Sequence, residues 1–136
     1  MTLGSVRHHI RIERSADVVW ARVRDAAALS TWFPGITSST VEGNQRVIVL
    51  GSGMPMPEEI LVNDDTLRRF QYRITAPLFR HHRGTIDVIE LDPSSCLVVY
   101  STDADPRTMA LTIGGGTAGA LDELKRQLES PENGAH

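Results

Sequence analysis

From residue 36 onward, the spacing of apolar residues changes once, from a period of two residues to a helical period near residue 105. Alternating apolar and polar residues are typical of half-buried strands, whereas apolar residues three or four positions apart form one face of a helix. Turn residues divide the alternating part into short segments. The predicted strands cover residues 6–12, 36–41, 46–50, 58–63, 69–75, 82–91 and 96–102. Residues 51–57 are predicted to form a loop, because their prolines cannot donate to a ladder.

Two short helices are predicted between the first two strands. Ser15 is suited to cap a helix N-terminus, and Asp17 would lie in the first turn of that helix. Residues 25–32 predict a second short helix, which Pro34 and Gly35 end.

The last segment predicts one long helix over residues 106–129, with Asp105 as its cap and Pro106 at its first position. Such a helix is about 36 Å long, enough to cross a sheet. Its glycines disfavour a continuous helix, but the apolar stripe keeps its phase through them, so we expect no kink and no later start at Thr117. The stripe consists of Met109, Ile113, Gly116, Ala120 and Leu124, with Leu121 and Leu128 beside it.

This order of elements predicts an α+β fold, in which a curved seven-stranded antiparallel sheet holds the long C-terminal helix on its concave face. The small residues Gly116, Thr117 and Ala120 in the middle of the stripe leave two alternatives. They let the helix touch the sheet, or they leave a hollow between helix and sheet. We expect one domain over residues 1–129 and a flexible polar tail over residues 130–136.

Composition excludes several classes of protein. The net charge of −3 and an aromatic content of 5% disfavour a nucleic-acid binder, which needs basic and stacking side chains. The single cysteine, Cys96, permits no intrachain disulfide. Without a signal segment or a long apolar run, the expected location is the cytoplasm and no membrane span is expected. Phosphate-loop and dinucleotide motifs are missing from the sequence, so no cofactor is expected.

Several short motifs, taken in order, resemble a known family. They are Val19-Trp20, Trp32-Phe33-Pro34, Arg46, Glu58 with Asp64-Asp65, Tyr72, Pro77 and Tyr100. With the predicted strand and helix order, the chain resembles the small polyketide cyclase/dehydrase-like proteins of the START-like (SRPBCC) superfamily, which share a helix-grip fold. This resemblance covers about residues 5–129. It implies a hydrophobic ligand held between the sheet and the long helix.

Two residues are candidates for acid or base chemistry in such a space. His8 is the polar residue on an otherwise apolar strand face, and it could move a proton or simply be a satisfied core histidine. Glu58 shares a face with Ile60 and Val62, where burial would raise the pKa of its carboxyl. The alternatives are that Glu58 is exposed at the start of its strand, or that it forms an ion pair with Arg46 on the adjacent strand.

Eight further residues are expected to contact the ligand. Tyr72 and Tyr100 offer a hydroxyl on an apolar ring, and the resemblance places Trp32 and Phe33 near the cavity entrance. The complete set is Trp32, Phe33, Phe70, Tyr72, Tyr100, Ile113, Gly116 and Ala120.

The histidine pairs and the basic residues each allow two interpretations. His8-His9 and His81-His82 do not predict a metal site, because adjacent strand residues point to opposite faces. The basic stretch around residues 80–83 could attract an anionic ligand or carrier, or could be a solvated strand face.

The leading functional prediction is binding of one small hydrophobic molecule, either lipid-like or polyketide-like. One alternative is a polyketide cyclase/aromatase or dehydratase that uses His8 or Glu58. Another is a protein-interaction module. The expected partner is the small molecule and not a nucleic acid, and a homodimer is a compatible assembly.

Overall fold

The computed structural model describes residues 2–131 and confirms the α+β architecture with seven strands. In chain order the elements are β1 (Gly4–Ile12), α1 (Ala16–Val23), a 3-10 helix (Ala26–Thr31), β2 (Ile36–Glu42), β3 (Gln45–Leu50), β4 (Pro55–Asp64), β5 (Arg69–Ile74), β6 (His81–Asp92), β7 (Ser95–Asp105) and α2 (Arg107–Glu129). The predicted tail lies outside the described residues from position 132 onward.

The sheet is antiparallel throughout, in the order β1-β7-β6-β5-β4-β3-β2. Consecutive strands from β2 to β7 are neighbours, and β1 returns to pair along its whole length with β7. Register shifts in β2, β4 and β6 mark bulges, which bend the strands that carry them. The curved sheet therefore has a concave face for α2 to pack on.

The prediction of a loop over residues 51–57 is wrong in its second half, because β4 begins at Pro55. The N–H and C=O of one strand residue point to the same side. The Pro57 carbonyl accepts from the Thr75 N–H at 3.0 Å, so both backbone groups of Pro57 face the β5 side of β4. Because β5 ends at Ile74, the missing N–H of Pro57 faces a position beyond the end of that strand. On the other side, β4 pairs with β3 without using the proline nitrogens.

The helix α2 runs without interruption through its glycines, as predicted. The predicted cap is wrong: Pro106 occupies the cap position, and Asp105 is instead the last residue of β7. Its backbone carbonyl accepts from the Arg80 N–H at 2.8 Å.

The buried face of α2 is rotated from the predicted stripe in the N-terminal half of the helix. Ala110, Gly114 and Thr117 are buried there, whereas Gly116 is exposed. Farther along, Ala120 and Leu124 are buried as expected. One side of the helix thus contacts the sheet, and Met109, Ile113 and Gly116 lie beside that contact.

Glycines let α2 lie very close to β1. A Cβ atom at Gly114 would lie 2.7 Å from Val6 Cγ1, and one at Gly4 would lie 2.8 Å from the Ala110 Cβ. Neither distance is possible without a shift of the packing. The contact therefore requires glycine at both positions, where a hydrogen atom takes the place of Cβ.

The two short helices form at the predicted places, and both contribute to the core. Ser15 caps α1, with its hydroxyl accepting from the Val18 N–H at 3.3 Å. Trp20 is buried and donates from Nε1 to the Asp65 carboxylate at 2.8 Å, which attaches α1 to the β4–β5 turn. Within residues 2–131, no helix combines the length and apolar character that crossing a bilayer requires.

The glycine contact generates a stability prediction. Gly115 has open space around its Cα, so Gly115→Ala should gain helix propensity and raise the free energy of unfolding by up to about 1 kcal/mol. Gly114→Ala gains the same propensity but crowds Val6, which costs about 1–3 kcal/mol. Urea unfolding should therefore rank Gly115→Ala above Gly114→Ala by at least about 1 kcal/mol. Equal stabilities would contradict the close helix–strand contact.

Candidate functional site

A cavity of about 350 Å³ lies between the sheet and the N-terminal half of α2. Most of its lining is apolar, and Glu58 is its charged member. The lining residues are Leu29, Phe33, Pro34, Gly35, Ile36, Ile48, Leu50, Met56, Glu58, Tyr72, Ile74, Phe79, Met109, Thr112, Ile113 and Gly116. Of these, Pro34, Gly35, Thr112 and Gly116 are exposed, which marks the mouth of the cavity.

The position of α2 explains why the cavity exists. The helix packs mainly against β1 and β7, at one side of the sheet. The inner faces of β3, β4 and β5 lie beyond the reach of the helix, and their side chains line the cavity. Both alternatives for the small residues of α2 are therefore realised, because Thr117 and Ala120 are buried whereas the cavity lies beside Gly116.

A buried ion pair forms the polar floor of the site. Arg46 and Glu58 are directly opposite each other on β3 and β4, and Arg46 Nε donates to Glu58 Oε1 at 2.7 Å. Both side chains are 2% exposed. The guanidinium carbon also lies 5.0 Å from the centre of the Tyr72 ring and 5.2 Å from that of Phe70. These ring faces stabilise a cation that has lost its water.

Burial raises the pKa of the Glu58 carboxyl above its ordinary value. Desolvation penalises the charged form and outweighs the opposing charge and hydrogen bond of Arg46. The ion pair considered as an alternative is therefore present, and the carboxyl still faces the cavity. A carboxyl in this position can hold or release a proton toward a bound molecule.

Two tyrosine hydroxyls meet beside this pair. The Tyr72 and Tyr100 oxygens are 2.6 Å apart, and both side chains are buried. The Tyr72 ring lies over Gly84, where a Cβ atom would be 2.5 Å from Tyr72 Cζ. Burial raises the pKa of both phenols, which keeps them neutral donors and acceptors. Tyr72 lines the cavity, whereas Tyr100 lies behind it.

His82 is a buried polar residue whose role the sequence analysis did not identify. It is 4% exposed, and its Nδ1 accepts from the Ile74 N–H at 2.9 Å. Burial lowers the pKa of the imidazole to about 4, so the ring is neutral near pH 7. The alternation of the strand could have indicated the burial of His82, since His82 shares the inward-facing positions with Gly84 and Ile86.

The structure brings five of the ten predicted site residues to the cavity wall. These are Phe33, Glu58, Tyr72, Ile113 and Gly116. The other five lie elsewhere: Trp32, Phe70, Tyr100 and Ala120 are buried in the core, and His8 is half-buried on β1.

His8 and Trp32 are separated from the cavity for different reasons. The strand β1 lies under α2, so its inner face contacts the helix rather than open space. Trp32 precedes Phe33 in the turn and takes the core position, 2% exposed, while Phe33 takes the cavity position.

Other cavity residues were missed by the sequence analysis. Leu50 and Met56 flank the β3–β4 turn, Phe79 lies in the β5–β6 loop, and Met109 and Thr112 lie on α2. Of these residues, only Met109 belonged to a predicted pattern, the apolar stripe of the C-terminal helix. Among residues 2–131, no three His, Cys, Asp or Glu side chains are grouped so that they could hold a metal ion.

Comparisons with known proteins agree with this geometry. The model of one family, described as "Polyketide cyclase / dehydrase and lipid transport", matches residues 4–129. A search of curated proteins found no match.

Three solved structures illustrate the shared fold. XoxI from Bacillus cereus is 22% identical, with a TM-score of 0.87 over 95% of this chain and 98% of that one. A START superfamily protein from Mycobacterium smegmatis is 16% identical, with a TM-score of 0.75 over 91% and 98%. Norcoclaurine synthase from Thalictrum flavum, in complex with dopamine and hydroxybenzaldehyde, is 17% identical, with a TM-score of 0.74 over 93% and 87%. Likeness at these identities shows the fold.

The buried ion pair generates a second prediction. Arg46→Met removes the partner of a buried carboxylate and should lower the free energy of unfolding by about 3–5 kcal/mol near pH 7. The loss should shrink as the pH falls below 7, because burial raises the pKa of the unpaired Glu58 carboxyl, which then takes up a proton in the folded state before it does so in the unfolded chain. Replacing both residues, as Arg46→Met with Glu58→Leu, should restore much of the stability.

Arg73 provides the matched control for this experiment. It lies directly opposite Glu59 on β4 and β5 and forms an ion pair with it at 2.6 Å, but its side chain is 53% exposed. Arg73→Met should therefore cost at most about 1 kcal/mol in urea unfolding. If Arg46→Met costs no more than Arg73→Met, the buried pair does not have the assigned role.

Proposed function

The chain belongs to the polyketide cyclase/dehydrase and lipid transport family, and on that premise we propose that it binds one small, largely apolar molecule in the cavity beneath α2. The observation that carries this proposal is the cavity itself, about 350 Å³ in volume and lined mainly by apolar side chains. Cavities of this size are typical of small-molecule sites.

Affinity in such a site comes from removing apolar ligand surface from water, worth about 25 cal/mol per Å². Ile48, Leu50, Met56 and Ile113 supply apolar surface, and the Phe33 ring supplies a flat wall near the mouth. Glu58 and Tyr72 are the polar groups on the wall and would orient an oxygen or nitrogen of the ligand.

Filling the cavity should abolish binding. Gly116 is on the cavity wall, and a Cβ atom there would lie 3.5 Å from the Phe33 ring, so Gly116→Leu places a side chain in the space for the ligand. We expect affinity for the neutral dye Nile red to fall by at least about tenfold, measured by fluorescence titration.

Gly119→Leu is the control for this substitution. Gly119 is also in α2 and exposed, with nothing within 4 Å of a Cβ atom at that position. Both variants gain helix propensity, so a difference in dye affinity reports on the cavity. Equal affinity in both variants, or no binding by the unsubstituted protein, would refute the proposed site.

A second candidate function is a cyclase/aromatase or dehydratase reaction on a poly-β-ketone. It is favoured by the Glu58 carboxyl, which lines the cavity, is buried, and has a raised pKa. Such a group could take a proton from carbon beside a carbonyl, or give one to a departing hydroxyl. The neutral Tyr72 hydroxyl could hold the substrate oxygen.

Glu58→Gln tests this candidate, because the amide oxygen can still accept from Arg46 but the group cannot transfer a proton. Turnover of a short poly-β-ketone, followed by product chromatography, should fall by at least about 100-fold. Glu59→Gln, next in the chain and on the opposite face, should leave turnover unchanged. Equal turnover in the two variants would exclude Glu58 as the acid or base.

A further inference from the structure

A second, polar space opens where β5 and β6 separate. Their pairing ends at Tyr72 and Gly84, and beyond it a gap of about 290 Å³ lies between residues 73–75 and residues 79–83. His82 lies in this gap, where its Nδ1 takes the Ile74 N–H that β6 no longer accepts. The imidazole thus takes the place of a backbone acceptor of β6 and links β6 to β5 across the gap.

The hydrogen bond at Nδ1 also determines where the imidazole proton lies. Because Nδ1 accepts, the neutral ring carries its proton on Nε2. That Nε2 is buried and has no hydrogen-bond partner among residues 2–131. An unpaired donor at a buried position is costly, so the site is suited to an acceptor brought from outside.

Positive charge surrounds this donor. Arg73, Arg80 and Arg83 line the gap, together with His81. Arg73 forms an ion pair with Glu59 at 2.6 Å. Asp103 lies opposite Arg83 in the β6–β7 ladder. The Arg80 side chain is 79% exposed and reaches Asp105 only at 3.9 Å, so its guanidinium is only partly engaged.

The gap and the apolar cavity share a wall. Ile74 and Phe79 line both spaces, and the Phe79 ring lies edge-on to His82 with 5.3 Å between ring centres. Phe79 belongs to the β5–β6 loop, outside regular secondary structure. The two spaces therefore meet at Ile74 and Phe79.

We propose that the gap between β5 and β6 holds the carboxylate of an amphipathic ligand, with His82 Nε2–H and the Arg80 guanidinium as donors and the apolar chain in the cavity. This inference rests on the proposed binding function and adds the class of ligand. The neutral imidazole donates without adding charge, and the fork of a partly engaged guanidinium fits a carboxylate.

The test compares decanoate with 1-decanol as competitors for bound Nile red near pH 7. Decanoate should displace the dye at a concentration at least about tenfold lower than decanol. Arg80→Gln should remove most of that preference while leaving displacement by decanol unchanged. Arg7→Gln, an exposed position on β1, is the matched charge control and should behave as the unsubstituted protein.

Nuclear magnetic resonance of the His82 side chain gives a second readout that requires no substitution. Long-range proton–nitrogen spectra should show a bare Nδ1 and a protonated Nε2, and decanoate should shift the Nε2–H signal more than decanol does. A signal that responds equally to both probes would overturn the assignment.

The remaining outcomes separate this inference from the function on which it rests. If decanol displaces Nile red and decanoate is no better, the head-group site is wrong and the apolar cavity stands. If decyl phosphate binds more tightly than decanoate, the assignment of a carboxylate is overturned. If neither decanol nor decanoate displaces the dye, the proposed binding function fails as well.

Discussion

The close contact between α2 and β1 is the constraint on which the rest of the site depends. Gly4 and Gly114 bring the helix and strand together at a distance that no side chain at those positions would allow. A straight helix held against one side of a curved sheet cannot also follow the strands on the other side. The space left over β3, β4 and β5 is the cavity, so the same contact that stabilises the fold creates room for a ligand.

The cavity floor is polar although its walls are apolar, and this combination suggests a role beyond stability. Arg46 and Glu58 compensate each other, but burying both charges costs desolvation that well-packed apolar residues would avoid. Tyr72 connects this pair to the rest of the floor, since its ring contacts Arg46 and its hydroxyl bonds Tyr100. The same ring lies 5.5 Å from the imidazole of His82, so the ion pair, the phenols and the imidazole are neighbours in the interior, and Glu58 and Tyr72 are the members that line the cavity.

Local patterns predicted most of the elements but not how they are oriented. Ser15 caps α1 because its side chain interacts with backbone three residues away, which is a local effect. In contrast, the buried face of α2 is offset from the predicted stripe. Gly114 has no side chain and so does not contribute to an apolar pattern, although it makes the closest contact between α2 and β1. The prediction of a loop at the β4 prolines is wrong for a related reason. Whether a proline disrupts a strand depends on which neighbour it faces, and that neighbour is distant in sequence.

Sequence by itself determined the order of strands and helices, the α+β class and the resemblance to a family, because these depend on periodicity and on residues close along the chain. It also identified Glu58 and Tyr72, whose apolar neighbours on one strand face indicated burial. Only the tertiary structure decided that His8 lies outside the cavity, that Trp32 faces the core while Phe33 lines the cavity, and that His82 is buried with no partner for its Nε2 among residues 2–131. Those outcomes follow from the placement of α2 over β1 and from the separation of β5 and β6. Both are contacts between segments far apart in the sequence, and periodicity carries no information about them.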